Sequence, residues 1–274
     1  MSKFRHLTIV LAFTSTGCSQ SSLATTKVIA HPDKSGATIE YFVAQPAGLG
    51  PWPTIVFLHG FQPLPFRKGG KAFEDWGVLD RFAKKGYCAI SVSLPGYGGS
   101  SGPEDFAGPF TQHAVKAVIA KAESDYLAIH DRILIEGVSL GAVTSALVTA
   151  HDPHIAGQVL ISGLYDLPSF FAHPKSAAAE RVKLSMVAQT GGNDAAMRAR
   201  SALLFAPNIK AATLILNGAK DDRTDTGQAQ QFASVINSSG GNARVHIFPE
   251  FGHEIPVVAR EVEVDAFIDA VLKP

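Results

Sequence analysis

Residues 131–150 read "DRILIEGVSLGAVTSALVTA". "RILIE" is an apolar run of strand length, and "LGAVTSALVTA" is a helical stretch rich in small residues. Between them lies Gly137-Val138-Ser139-Leu140-Gly141, a G-x-S-x-G pentapeptide. Strand, turn and helix in that order are the context in which this pattern exposes a serine hydroxyl on a sharp bend. The flanking glycines suit a turn too tight for larger side chains. Gly141, Ala142 and Ser145 allow the departing helix to sit close to a sheet. The pattern recurs at residues 98–102 as "GGSSG". There Pro95 and Gly96 have already ended the preceding strand, and Pro103, Glu104 and Asp105 follow. That is a loop signature, so Ser139 is the candidate nucleophile and Ser100 a loop residue.

Outward from the pentapeptide, short apolar runs alternate with helical stretches. Strands are expected at 25–31, 37–46, 53–60, 87–96, 131–137, 156–163, 212–218 and 243–250. The first two, joined by "PDKSG", form an antiparallel hairpin. Helices are expected around 70–85, across "FAGPFTQHAVKAVIAKAESDY", and at 139–151, 226–241 and 257–272. Most core strands are apolar on both faces, as when helices cover both sides of a parallel sheet. The expected fold is therefore α/β: one doubly wound, mostly parallel, eight-stranded sheet over residues 25–274. Nearly fifty residues separate the strand ending at Gly163 from the one starting at Ala212, far more than a simple crossover needs. With Tyr165, Phe170, Phe171 and Met186 in it, the segment at about 164–208 reads as a helical cap over the C-terminal edge of the sheet.

A serine hydroxyl is barely acidic, so a nucleophilic Ser139 needs a histidine to take its proton and a carboxylate to orient that histidine. His253, in "PEFGHEIP", follows the last strand and precedes the last helix. In doubly wound sheets, strand ends of this kind carry the functional groups. Asp221, Asp222 and Asp225 follow the strand "TLILNG" in the loop "AKDDRTD", and spacing leaves the choice between Asp221 and Asp222 open. The carbonyl oxygen of a substrate would need preorganised donors. The backbone N–H groups of Leu140, at the helix start, and of Phe61, after "TIVFLHG", are the candidates.

The chain resembles α/β-hydrolases, and within them the catalytic domains of prolyl oligopeptidase-type and dienelactone hydrolase-type enzymes. The resemblance spans residues 37–274 through "IVFLHGF", "GYGGSSG", "DRILIEGVSLGA", "SALLFAPNIKAATLILNGAKDDRTDTGQAQQFA" and "VHIFPEFGHEI". It places the acid three residues after the glycine that ends its strand. Gly218 plus three gives Asp221, so the implied triad is Ser139, Asp221 and His253. Ala142 stands where the family often has glycine, and Asn217 where it often has histidine. The substrate-screening propeller of prolyl oligopeptidases has no room in 274 residues, which points away from proline-specific cleavage. The implied activity is carboxylic ester hydrolysis through an acyl-enzyme, without cofactor or metal. A short peptide or amide is the alternative substrate. A rival of another class is an inactive envelope binding or scaffold protein on the same fold, against which stand three filled triad positions.

Composition narrows the partners. Lys+Arg and Asp+Glu both number 24 and no charge block stands out, so a nucleic-acid partner is not expected. Lys3, Arg5 and His6 precede the apolar "LTIVLAF" and a small-residue zone, the layout of an export signal over residues 1–24. Cys18 after Gly17 resembles a bacterial lipoprotein signal, with Ser15 where leucine is usual. Lipidation of Cys18 and cleavage after Ala24 are the two alternatives. Both imply a bacterial envelope location, periplasmic or lipid-anchored to a membrane. Cys88 lies in an apolar run and reads as a buried thiol. His151 and His154 have H-x-x-H spacing, but Pro153 lies between them and no third ligand is nearby, so a metal site there is not expected.

Overall fold

The computed structural model describes residues 24–273. The export-signal reading, with Cys18, lies outside the described residues apart from Ala24. Eight strands form one sheet: β1 (Thr25–Ala30), β2 (Thr38–Ala44), β3 (Trp52–Leu58), β4 (Cys88–Val92), β5 (Ala128–Val138), β6 (Ile155–Ile161), β7 (Ala212–Gly218) and β8 (Asn242–Phe248). Their order is β1-β2-β4-β3-β5-β6-β7-β8. β1 and β2 pair antiparallel, as do β2 and β4, and all later pairs are parallel.

Alternation along the strands divides the core in two. Ile55 and Phe57 of β3 face one side, and Val56 and Leu58 the other. The first side is covered by α1 (Lys71–Asp75), α2 (Val78–Lys84) and α9 (Val257–Leu272) through Phe73, Leu79, Phe82, Val264, Phe267 and Ile268. The second is covered by α3 (Pro109–Ser124), α4 (Leu140–Ala150) and α8 (Thr226–Ser238) through Val115, Val118, Leu147, Phe232 and Ile236. Side chains with period two on a sheet meeting apolar stripes on helices is what both burial patterns encode. The expected helix over 70–85 is broken in two. Gly77, at φ 69°, adopts the left-handed conformation that ends α1 before α2 begins.

The segment after β6 holds α5 (Leu167–Ala172), α6 (Ala177–Thr190), α7 (Asp194–Arg198) and a 3-10 helix, Ala202–Asn208. Asp166, Ser176 and Asn193 cap the first three with their side chains. Phe170, Met186 and Met197 anchor the segment in the core that α3, α4 and α8 share.

The topology has a reversal at β3. Its chain leaves toward α1 and α2 on one face, while the adjacent β5 leaves toward α4 on the other. A crevice forms outside the C-terminal ends of such strands, where doubly wound folds bind ligands.

Candidate active site

Ser139 stands at that crevice, between β5 and α4. Its backbone is at φ 53°, ψ −114°, a strained conformation for a residue with a Cβ. The turn is fastened by Ser139 N–H donating to Ile161 O at 2.8 Å and by Ser139 O accepting from Ala142 and Val143. The pentapeptide glycines are required by space. A Cβ on Gly141 would lie 2.1 Å from Leu58 O, and one on Gly137 would lie 2.2 Å from Gly141 O.

His253 Nε2 lies 3.0 Å from Ser139 Oγ. Its Nδ1 lies 2.9 and 3.1 Å from the two carboxylate oxygens of Asp221. A carboxylate only accepts, so Nδ1 carries the proton and Nε2 is free to accept from the serine hydroxyl. Asp221 also accepts from Arg223 N–H, from Thr224 N–H and from Thr224 Oγ1 at 2.7 Å. Burial alone would raise its carboxyl. The hydrogen bond and charge of His253, with the Thr224 and Arg223 donors, outweigh that and hold it below the ordinary carboxylate range. Of the two acids that spacing left open, Asp221 is the one whose side chain lies within hydrogen-bond distance of His253.

Two loops must meet for this contact. Gly218 ends β7 against the chain after β8, where an added Cβ would sit 2.1 Å from Gly252 O. Lys220 N–H donates to Phe251 O at 2.9 Å across the same gap. His253 O accepts from Ser162 Oγ at 2.8 Å. Ser162 is fully buried and itself at φ 53°, and nothing local in the sequence marks it.

His59, just after β3, has a positioning role. Leu94 N–H donates to its Nε2 at 3.1 Å, so Nδ1 is protonated and donates to Gly60 O at 2.7 Å. Burial lowers its pKa from 6.5 to about 4, against a smaller raising effect of the Gly60 bond. The neutral ring braces the turn that presents Phe61. The N–H groups of Phe61 and Leu140 form no hydrogen bond within the described residues. Both residues line the same cavity as Ser139 and His253.

That cavity has a volume of about 790 Å³. Phe57, Phe73 and Phe82 line its floor, and Leu164, Ala178 and Val182 enter from the segment after β6. Its carboxylates are each paired with an arginine: Glu136 with Arg260 and Glu254 with Arg223, and Glu261 with Arg81. Ser100, by contrast, is a buried brace. Its hydroxyl donates to Ser93 O at 2.6 Å and accepts from Glu40 N–H at 2.8 Å.

His151 and His154 do not form a pair. His151 bonds Leu147 O and packs on Phe205, while His154 turns to Asp131. Cys88 is buried, and burial pushes its thiol up to about 12.

Two family profiles match the sequence. The prolyl oligopeptidase profile covers residues 110–273, and that of X-Pro dipeptidyl-peptidase (S15 family) covers 35–178. No curated protein matches the chain. Among solved structures, Pyrococcus horikoshii acylaminoacyl peptidase superposes with a TM-score of 0.73 at 18% identity, over 92% of this chain and 42% of its own. Puromycin hydrolase gives 0.75 at 18% identity, over 90% of this chain and 39% of its own. The Pyrococcus furiosus esterase Pf2001 gives 0.68 at 17% identity, over 91% of this chain and 93% of its own. The chain thus spans about two fifths of the two larger proteins. Fold and profiles together define the α/β-hydrolase architecture. Within that class, the chain belongs to the prolyl oligopeptidase family, whose profile covers more than half of it.

Proposed function

We propose that the protein hydrolyses carboxylic esters through an acyl-enzyme on Ser139. The observation that carries this reading is the continuous hydrogen-bond chain from Asp221 through His253 to Ser139, opening on a largely apolar cavity. Ser139 Oγ attacks the ester carbonyl as its proton passes to His253 Nε2. Asp221 stabilises the imidazolium and keeps the ring in register. The oxyanion forms between the N–H groups of Leu140 and Phe61, two donors already free of other partners. His253 then gives its proton to the departing alkoxide. Water, deprotonated by the same nitrogen, releases the acid and restores Ser139.

One observation favours an ester over a peptide: every carboxylate lining the cavity is engaged by an arginine, leaving none to receive a substrate amino group. Amide cleavage is the second reading, supported by the family profile and by the acylaminoacyl peptidase and puromycin hydrolase folds. In this scheme the segment at about 164–208 is a cap whose residues shape the acyl site. The enzyme works in the bacterial envelope, anchored at Cys18 or released by cleavage after Ala24.

A panel of p-nitrophenyl esters of increasing acyl length, run beside peptidyl p-nitroanilides, tests the substrate class. The expected result is a kcat/KM for the best ester well above that for any anilide. A preference for anilides would replace the ester reading by the amide one. Membrane fractionation of wild type and Cys18→Ala tests the anchor.

A further inference from the structure

At the opposite end of the sheet from Ser139, two histidines and an aspartate converge. Asp131 and His130 lie early in β5, and His154 immediately precedes β6. The parallel register sets Ile133 opposite Ile155, which brings the three side by side although 23 residues separate Asp131 from His154. His154 Nδ1 lies 2.6 Å from Asp131 Oδ1, and His130 Nε2 lies 3.7 Å from the same oxygen. The imidazole rings are 4.1 Å apart, and one donor atom from each of the three residues falls within a 4.8 Å span.

We infer that this cluster is a binding site for a borderline divalent transition-metal ion, with zinc the best match. Two imidazole nitrogens and one carboxylate are the donor set zinc takes at about 2.0–2.2 Å, and solvent completes the coordination. Ligand atoms already within 4.8 Å of one another need little movement to surround such an ion. Magnesium and calcium favour all-oxygen sets and are not suited to it.

The surroundings supply independent support. The remaining nitrogen of His130, Nδ1, lies 2.8 Å from Glu123 Oε1 on α3. A carboxylate on the far nitrogen fixes which nitrogen of a metal-bound histidine is free to ligate and makes it a stronger donor. Asp152 fixes the His154 backbone by accepting from its N–H at 3.1 Å. Glu123, Asp131 and Asp152 thus place three carboxylates around two imidazole rings, a local charge that attracts a dication. All three ligands are exposed, so an ion can reach them.

The bound ion would join the start of β5 to the turn before β6. Ser139 is eight residue steps along the chain from Asp131, roughly 26 Å, so the ion acts on stability and leaves the chemistry at Ser139 untouched. Calorimetric titration of the full chain with zinc, in excess magnesium, tests this. The expected result is one zinc per chain in wild type. His130→Ala and His154→Ala should lose that binding, and Glu123→Gln should weaken it about 10- to 100-fold. Zinc should raise Tm for wild type and not for His154→Ala, with ester turnover unchanged in both. All three substitutions fall on the surface, and circular dichroism verifies their folding. Absence of saturable zinc binding in wild type, or equal binding in the folded histidine variants, would overturn the assignment.

Discussion

His253 Nε2 sits 3.0 Å from Ser139 Oγ, across 114 residues of sequence. The contact is held from both sides of the ring. Asp221 accepts a hydrogen bond from Nδ1–H, and Ser162 Oγ donates to the His253 carbonyl from behind. Replacing Asp221 by Asn keeps the shape and reverses the donor. Asp221→Asn should therefore fold as wild type yet lose about four orders of magnitude in kcat on an activated ester. Steady-state kinetics beside a thermal melt check both halves of that expectation.

Burial gives His59 a measurable pH signature. Its pKa falls from 6.5 to about 4 in the folded protein. Between those values the unfolded chain binds a proton that the folded protein does not. Stability is complete above pH 6.5 and is lost as pH falls toward 4. The loss amounts to about 3 kcal/mol. Urea titrations across that range should show it in wild type and not in His59→Gln.

Gly218 is where the acid-bearing loop and the base-bearing loop touch. An added Cβ would meet Gly252 O at 2.1 Å, and neither atom belongs to a flexible side chain. Gly218→Ala should push the loops apart, cost on the order of 4 kcal/mol, and lower kcat even in the fraction that folds. Chemical denaturation and active-site titration separate the two effects.

Ser100 carries the same five-residue pattern as Ser139 and should behave oppositely. Its hydroxyl satisfies Glu40 N–H in a buried loop. Ser100→Ala should cost roughly 1–3 kcal/mol of stability by orphaning that donor, with kcat unchanged. A denaturation curve and one kinetic assay decide it.

These residues also show what a sequence discloses. The strands were legible because each is a short apolar run bounded by turn residues, and all eight expected strands are present. β5 starts earlier than expected, at Ala128, because His130, Asp131 and Arg132 interrupt its apolar character. The helix break at Gly77 was missed since glycine also occurs inside helices. At the site, Ser139 and His253 could be read from their positions at strand ends. Spacing could not distinguish Asp221 from Asp222. That choice depends on how Gly218 lets the loop after β7 fold against the chain after β8, a contact between distant segments. Ser162, His59 and the His130–Asp131–His154 cluster depend on the same kind of long-range placement, which no local pattern encodes.

The central claim is that Ser139 is the nucleophile. Intact-mass spectrometry after incubation with a fluorophosphonate measures it directly. Wild type should gain one phosphonyl group, and Ser139→Ala should gain none. Ser100→Ala should label as wild type. A Ser139→Ala protein that still takes up the phosphonyl group on another serine would contradict the account.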